Sequence, residues 1–370
     1  MTSLSDDESV VQRSLPTNFY ILGSRTRRPE ASRVIFCDGG MDDTFREGTD
    51  VELSHWIPNR TPDCFKADTS TEIAFRFVAG GGLDGGVDLV VNNHLDVDGV
   101  LSMFVPLAGE WVLQHRRTIV QAAEMGDFWG WGERPAQELF QALSLLMYQL
   151  ASENEDLQDI YTRCFERARA VLDGERDPEW AEGLDALADS IALIDTQQVL
   201  RTVVHSRFVH YAIPRAVAER DLDAALHAPK INAPLSRQSL LLPHARSRSD
   251  RNRIQLVSVE AENGWYYDLC YPGYAWADTP YSWRPPGIVS LGTSNVHALD
   301  HPPLDEAVCD LARRETARGE WTVARQLSPF SSLSGRTFPI VVSFMADGAP
   351  APSALSSRLV RERLARAFRA

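Results

Sequence analysis

The chain has 370 residues, of which 44% are hydrophobic and 24% charged. That length exceeds the roughly 250–300 residues at which a single hydrophobic core stops growing, so two coupled lobes are expected. The net charge of −14 disfavours a long duplex nucleic acid, because acidic excess repels phosphate backbones, but it leaves room for a small anionic substrate held on metal.

Residues 1–30 read as an N-terminal arm that joins the fold near Asn18–Leu22. The arm opens polar and acidic, unlike a secretion signal, and no run in the chain approaches the roughly 20 apolar residues of a membrane span. A cytoplasmic protein with no membrane partner is expected. Residues 31–133 form an α/β lobe on the following signals. Arg33–Cys37 is a buried-strand run ending in the turn-rich Asp38-Gly39-Gly40-Met41-Asp42-Asp43, and Val51–His55 is a second strand. Asp68-Thr69-Ser70-Thr71-Glu72 is a helix start, since short polar side chains cap free backbone N–H groups, and Glu72–Val78 continues the helix. Gly80–Gly82 with Gly85-Gly86 reads as a flexible break. Asp88–Asn92 is the clearest strand, and Val97–Pro106 turns into a helix. Strand, turn and helix in alternation indicate a mostly parallel sheet with crossover helices.

Residues 134–230 read as a helical middle region. Leu139, Leu143, Leu146 and Leu150 recur at helical spacing, as do Ile191, Ile194, Val199 and Val203, and Asp177-Pro178 marks a start between them. Residues 231–370 read as a mixed α+β lobe. Its signals are Ile254–Val259, the aromatic-rich Trp265–Tyr267 and Tyr271–Trp283, the strand-like Val289–Leu291 and Ile340–Phe344, and a closing amphipathic helix over 358–370. The five cysteines, Cys37, Cys64, Cys164, Cys270 and Cys309, are scattered and form no CxxC pair, which speaks for reduced thiols. There is no GxSxG elbow, no P-loop, and no GxGxxG after a strand.

The informative passage is Asn92-Asn93-His94-Leu95-Asp96-Val97-Asp98-Gly99-Val100-Leu101-Ser102. Alternate side chains of extended backbone point the same way, so His94, Asp96 and Asp98 are expected to converge on a metal ion. Imidazole with carboxylate suits manganese, iron or zinc, and carboxylates alone suit magnesium. Gly99 then allows a sharp turn into the next helix. The competing account has Asp96 and Asp98 capping a helix and His94 as a polar loop residue. Strand ends of open α/β sheets are where ligands bind, which favours the metal.

His94-Leu95-Asp96-Val97-Asp98-Gly99 with Ser102 resembles the first motif of the DHH phosphoesterase superfamily, a His-x-Asp-x-Asp-Gly pattern after the first strand. The resemblance implies a metal-dependent enzyme, usually using manganese, with a parallel α/β main domain and a smaller second domain. It also implies hydrolysis of phosphodiesters, pyrophosphate or nucleotide-type substrates. Leu53-Ser54-His55-Trp56, leading into the helix start at Ala67–Glu72, is similar to the Asp-His-His motif, with Ser54 and Trp56 replacing its Asp and second His. Phe36-Cys37-Asp38 resembles the isolated motif aspartate. Both precede His94, as in a permuted relative, and the glycine-rich histidine motif of the usual second domain is absent.

On this resemblance His94, Asp96, Asp98 and Asp38 are the metal ligands, with Asp98 bridging two ions and His55 either a ligand or the acid that protonates the leaving oxygen. Asp127, in a Gly/Trp-rich junction, and Arg336, after Ser334-Gly335, are the substrate-binding candidates; each is otherwise a turn former or a structural arginine. Arg201, His205, Arg207 and His210 lie in the helical region, where histidines five apart splay and suit core or interface roles. Arg246–Arg253 is the only dense basic patch: a solvated loop, or a funnel for an anion. The expected reaction is metal-assisted hydrolysis of a phosphoester or phosphoanhydride. The alternatives are a metal enzyme of small-molecule metabolism acting on another bond such as an amide, and a binding protein with a decayed site.

Overall fold

Four short parallel strands form one sheet: β1 (Phe19–Ile21), β2 (Val34–Cys37), β3 (Val51–Leu53) and β4 (Leu89–Asn92), in the order β1-β4-β2-β3. The computed structural model describes residues 18–83, 89–292, 296–329, 332–333 and 336–369. The start of the expected arm, Gly85-Gly86 and Ser334-Gly335 lie outside the described residues. Register pairs Phe36 with Val91 and Cys37 with Leu53, so the carboxyl ends of β2, β3 and β4 share one edge. β2 and β4 are buried along their whole length, as a continuous apolar run in a covered parallel sheet requires.

Helices α1 (Ser70–Ala79) and α2 (Val97–Ala108) follow β3 and β4. Thr69 caps α1, accepting the Glu72 N–H at 3.1 Å. One face of the sheet, through Ile35 and Val90, shares a core with Phe75 of α1, Val100 of α2 and Leu139 and Leu143 of α4 (Arg134–Ser152). The middle region adds α3 (Arg116–Phe128), α5 (Leu157–Leu172) and α6 (Ala181–Asp195). As the spacing predicts, Leu139, Leu143, Leu146 and Leu150 all point into the core.

The helical expectation fails after α6. Val199 and Val203 do not extend a helix, because residues 200–213 form a hairpin of β5 (Leu200–His205) and β6 (Phe208–Ile213). The β-branched Thr202-Val203-Val204 and the fully buried β6 suit a pleated surface, and β6 also pairs in parallel with β7 (Ile254–Ala261). His205 and His210 therefore sit on strands, with His210 Nε2 2.7 Å from Ser258 Oγ. Two short helices follow, α7 (Arg215–Ala218) and α8 (Leu222–Leu226). The basic run is no free loop, since most of it belongs to α9 (Pro243–Asp250), with Arg246 buried.

A mixed sheet in the C-terminal part runs β11-β15-β8-β7-β6-β5, using β8 (Gly264–Cys270), β11 (Glu320–Val323) and β15 (Ile340–Ala346). Strands β9 (Ile288–Ser290), β10 (His297–Leu299) and β12 (Gln326–Leu327) make a small antiparallel sheet, and β13 (Ser332–Leu333) pairs with β14 (Arg336–Thr337). Strand β16 (Ala349–Pro350) adds to β15. Helices α10 (Pro302–Arg314) and α11 (Ser357–Arg366) pack on this part. Its apolar core takes in Trp56 and Phe128 from the first half of the chain, so the two halves meet beside the ends of β3 and α3. Among the described residues no helix is long and apolar enough to cross a membrane.

Candidate metal centre

Three strand ends deliver the cluster. Asp38 follows β2, His55 lies two residues beyond β3, and His94 and Asp96 follow β4. Asp38 takes a left-handed backbone, φ 48°, which a short polar residue tolerates. Gly40 is needed beside it, because a Cβ there would lie 2.9 Å from the Asn92 Cα and 2.8 Å from the Cys37 carbonyl oxygen. Parallel pairing then brings together side chains far apart in sequence.

Two donor groups result: Asp38, His55 and Asp98; and Asp38, His94 and Asp96, each able to hold a metal ion by spacing. The residue common to both is Asp38, not Asp98. His94 Nε2 lies 2.9 Å from Asp38 Oδ2 and 3.0 Å from Asp96 Oδ2. His55 Nε2 lies 3.5 Å from Asp38 Oδ1, 3.6 Å from Asp98 Oδ2 and 3.3 Å from Asp127 Oδ2. Asp127, at the end of α3, thus joins the cluster, with its Oδ1 accepting from Asn232 Nδ2.

Alternation along one strand is not what gathers these side chains. His94, Asp96 and Asp98 do not converge along one extended strand, because the helix begins between them. Asp96 is the N-cap of α2 and accepts the Gly99 N–H at 2.7 Å, while Asp98 lies in the first turn. Gly99 is already helical, and its requirement is space: a Cβ would sit 2.5 Å from Asn92 Nδ2. Asp98 turns instead to the start of α1, accepting the Ser70 and Thr71 N–H groups at 2.8 and 2.9 Å. Free amides at a helix N-terminus stabilise a carboxylate there. Capping and clustering are therefore both true of Asp96.

Further side chains, not among the residues singled out from the sequence, brace the cluster. Asp38 Oδ1 accepts from Ser70 Oγ at 2.7 Å and from Trp56 Nε1 at 2.9 Å. Tyr161 of α5 donates to the His94 carbonyl at 2.6 Å. Trp276 stands 5.0 Å from the His55 ring and 4.4 Å from Trp56, and the Asp278 N–H is donated to the His55 carbonyl. Ser70 had a visible signal, the helix start at Asp68–Glu72, but nothing local tied that start to Asp38. Tyr161 and Trp276 lie on distant elements and left none.

Imidazole orientation is set from behind. His94 Nδ1 meets Asn93 Oδ1 at 2.7 Å and His55 Nδ1 meets the Asp68 carbonyl at 2.8 Å. Both partners only accept, so each Nδ1 carries its proton and each Nε2 is turned toward carboxylates. The atoms aimed into this space, Asp38 Oδ2, His55 Nε2, His94 Nε2 and Asp127 Oδ2, are buried and make no hydrogen bond.

The electrostatics match this geometry. Burial opposes charge on His55, yet Asp127, Asp98 and Asp38 outweigh it and push its pKa up to about 10. Burial likewise opposes charge on His94, and Asp96 and Asp38 raise it well above the usual range. Burial and then the Asp38 charge push Asp98 up to about 6, and burial and then Asp96 raise Asp127 strongly. Asp38 is drawn down to about 2, burial being overcome by His94 and His55. Four carboxylates around two imidazoles lack positive charge even with both rings protonated, and cations supply what burial otherwise makes costly. The donor set fits a divalent metal.

Arg336 is engaged by Asp268 and Leu226. Its guanidinium donates to the Asp268 carboxylate at Oδ1, 3.1 Å, and at Oδ2, and to the Leu226 carbonyl at 2.6 Å, with none of its hydrogen bonds going to the cluster. No curated protein and no solved structure matches the chain. Over residues 23–280, a span that contains all six residues of the cluster, it matches the model of a family of unknown function, DUF6687, and it belongs to that family.

Proposed function

We infer that the cluster is a two-ion divalent metal centre, manganese before magnesium, iron or zinc, and that the chain hydrolyses a phosphoester or phosphoanhydride of a small anionic substrate. The carrying observation is that two Asp/His groups share Asp38 while its Oδ2, both histidine Nε2 atoms and Asp127 Oδ2 are buried without hydrogen-bond partners. Asp38, His94 and Asp96 would hold one ion; Asp38, His55 and Asp98 the other, with Asp127 beside His55. Divalent ions so held would lower the pKa of a bound water and neutralise charge on phosphoryl oxygens. The likeness of His94–Gly99 to the DHH motif supports the same reaction class.

The protein's own contribution is positioning. Asn93 and the Asp68 carbonyl hold the two imidazoles in one tautomer, Ser70 and Trp56 fix Asp38, and the start of α1 fixes Asp98. His94, with 23% of its side chain exposed, and Asp96 mark the entry, since His55, Asp38 and Asp98 are fully enclosed. The aromatic wall of Trp56, Phe128 and Trp276 excludes water on the His55 side.

Phosphate release from a panel of small phosphoesters and anhydrides, assayed with manganese, tests the reading. Activity is expected in the wild type and not in Asp38→Asn. The depth of the site favours one rival, a metal held without catalysis. Stoichiometric metal with no turnover on any phosphorylated substrate would select it.

A further inference from the structure

Beyond the metal cluster, the basic run singled out in the sequence has a shape. A cavity of about 310 Å³ is lined by Arg207, Arg248, Arg251 and Arg253, with Ser206 and Ser247 among the residues beside them. Among the described residues no carboxylate lines it. The acids that pair with these arginines stand outside the lining: Asp195 at 2.8 Å from Arg248, Asp250 at 2.6 Å from Arg253, and Glu124 at 3.0 Å from Arg251. Three guanidiniums are thus held in place by partners outside the lining, so little ordering remains for a ligand to impose.

Two of these arginines keep donors to spare. Arg207 has no carboxylate partner among the described residues; its guanidinium lies 4.5 Å from the Trp283 ring centroid and reaches only the Asn252 carbonyl at 3.5 Å. Arg251 Nε is buried and makes no hydrogen bond. A guanidinium fork matches phosphate oxygens, and serine hydroxyls donate to the same group. Guanidiniums on several sides of one cavity match the oxygens of a phosphate or pyrophosphate group better than the two of a single carboxylate. The volume suits such a group on a small molecule, and the net charge of −14 turns away a polynucleotide.

We propose that this pocket is a second, metal-independent binding site for a phosphate-bearing small molecule. It does not rest on the metal reading. It has one physical connection to that centre, since Arg251 also lies 3.6 Å from Asp68, whose carbonyl holds His55 Nδ1.

Calorimetric titration of the full chain with pyrophosphate tests it, with metal present and after chelation and dialysis. Binding survives chelation, weakens with added salt, and persists in the metal-centre variant His94→Ala. The double variant Arg207→Ala/Arg248→Ala binds at least about tenfold more weakly, as expected when charge-assisted hydrogen bonds are lost. Arg207→Gln, which keeps a shorter polar side chain without the charge, weakens binding in the same direction, and matched thermal unfolding shows the variants folded. Undiminished binding by the double variant, loss of binding in His94→Ala or on chelation, no binding at all, or tighter binding of a single-stranded oligonucleotide would each overturn the proposal.

Discussion

His94 Nε2 and Asp38 Oδ2 lie 2.9 Å apart with no hydrogen bond between them. Because His94 Nδ1 gives its proton to Asn93, the close approach is favourable only with positive charge at that point, either a second proton on the ring or a cation. The same alternative holds at His55, enclosed by three carboxylates. Protons and a metal ion would therefore compete for one space.

That competition fixes a direction with pH. Both imidazoles have raised pKa values, His55 to about 10. Each must lose a proton to bind an ion, so affinity for manganese is expected to rise with pH between 6 and 9, with proton release on binding. Calorimetry in buffers of different ionisation enthalpy measures the released protons. Binding with no proton release and no pH dependence would mean that the histidines are not ligands.

Asp38 serves both donor groups and Asp96 only one. Elemental analysis should therefore find two ions in the wild type, one in Asp96→Asn and none in Asp38→Asn, with unchanged circular dichroism. Equal metal content in the two variants would remove Asp38 from its shared position.

His244 supplies a test of stability away from the centre. Burial lowers its pKa from 6.5 to about 4, and its Nε2 donates to the Met125 carbonyl. Between those values the unfolded chain binds more protons than the folded one, so this contribution is full above pH 6.5 and is lost as pH falls toward 4. The loss is roughly 3 kcal/mol, at about 1.4 kcal/mol per unit. His210, also lowered to about 4 by burial, adds to the slope. His244→Gln should flatten the fall in denaturation midpoint over this window; a profile parallel to wild type would contradict the assignment.

Arg336 and Asp268 form a nearly enclosed ion pair, with side chains 10% and 13% exposed. Arg336→Ala leaves Asp268 with the Ser343 hydroxyl and no cation, which is expected to destabilise the fold by about 3 kcal/mol. Metal content should not change. Urea unfolding and elemental analysis on one preparation check both halves, and lost metal with normal stability would place Arg336 at the centre after all.

What could be read from the residues alone was local. The apolar runs at Val34–Cys37 and Leu89–Asn92, the capped start of α1 and the leucine stripe of α4 are set by neighbours within a few positions, and each formed the element its pattern indicates. The nearness of His94 to Asp96 was legible for the same reason. The hairpin over 200–213 was not, because Ile191, Ile194, Val199 and Val203 fit a helical period while pairing with β6, and through it β7, decides for strand. The division of the cluster into two groups sharing Asp38, the arrival of Asp127, and the engagement of Arg336 by Asp268 depend on which strand ends and helices lie side by side. Hydrogen bonds and charges act over a few ångströms of space, so contacts between residues many tens of positions apart were settled only by tertiary packing.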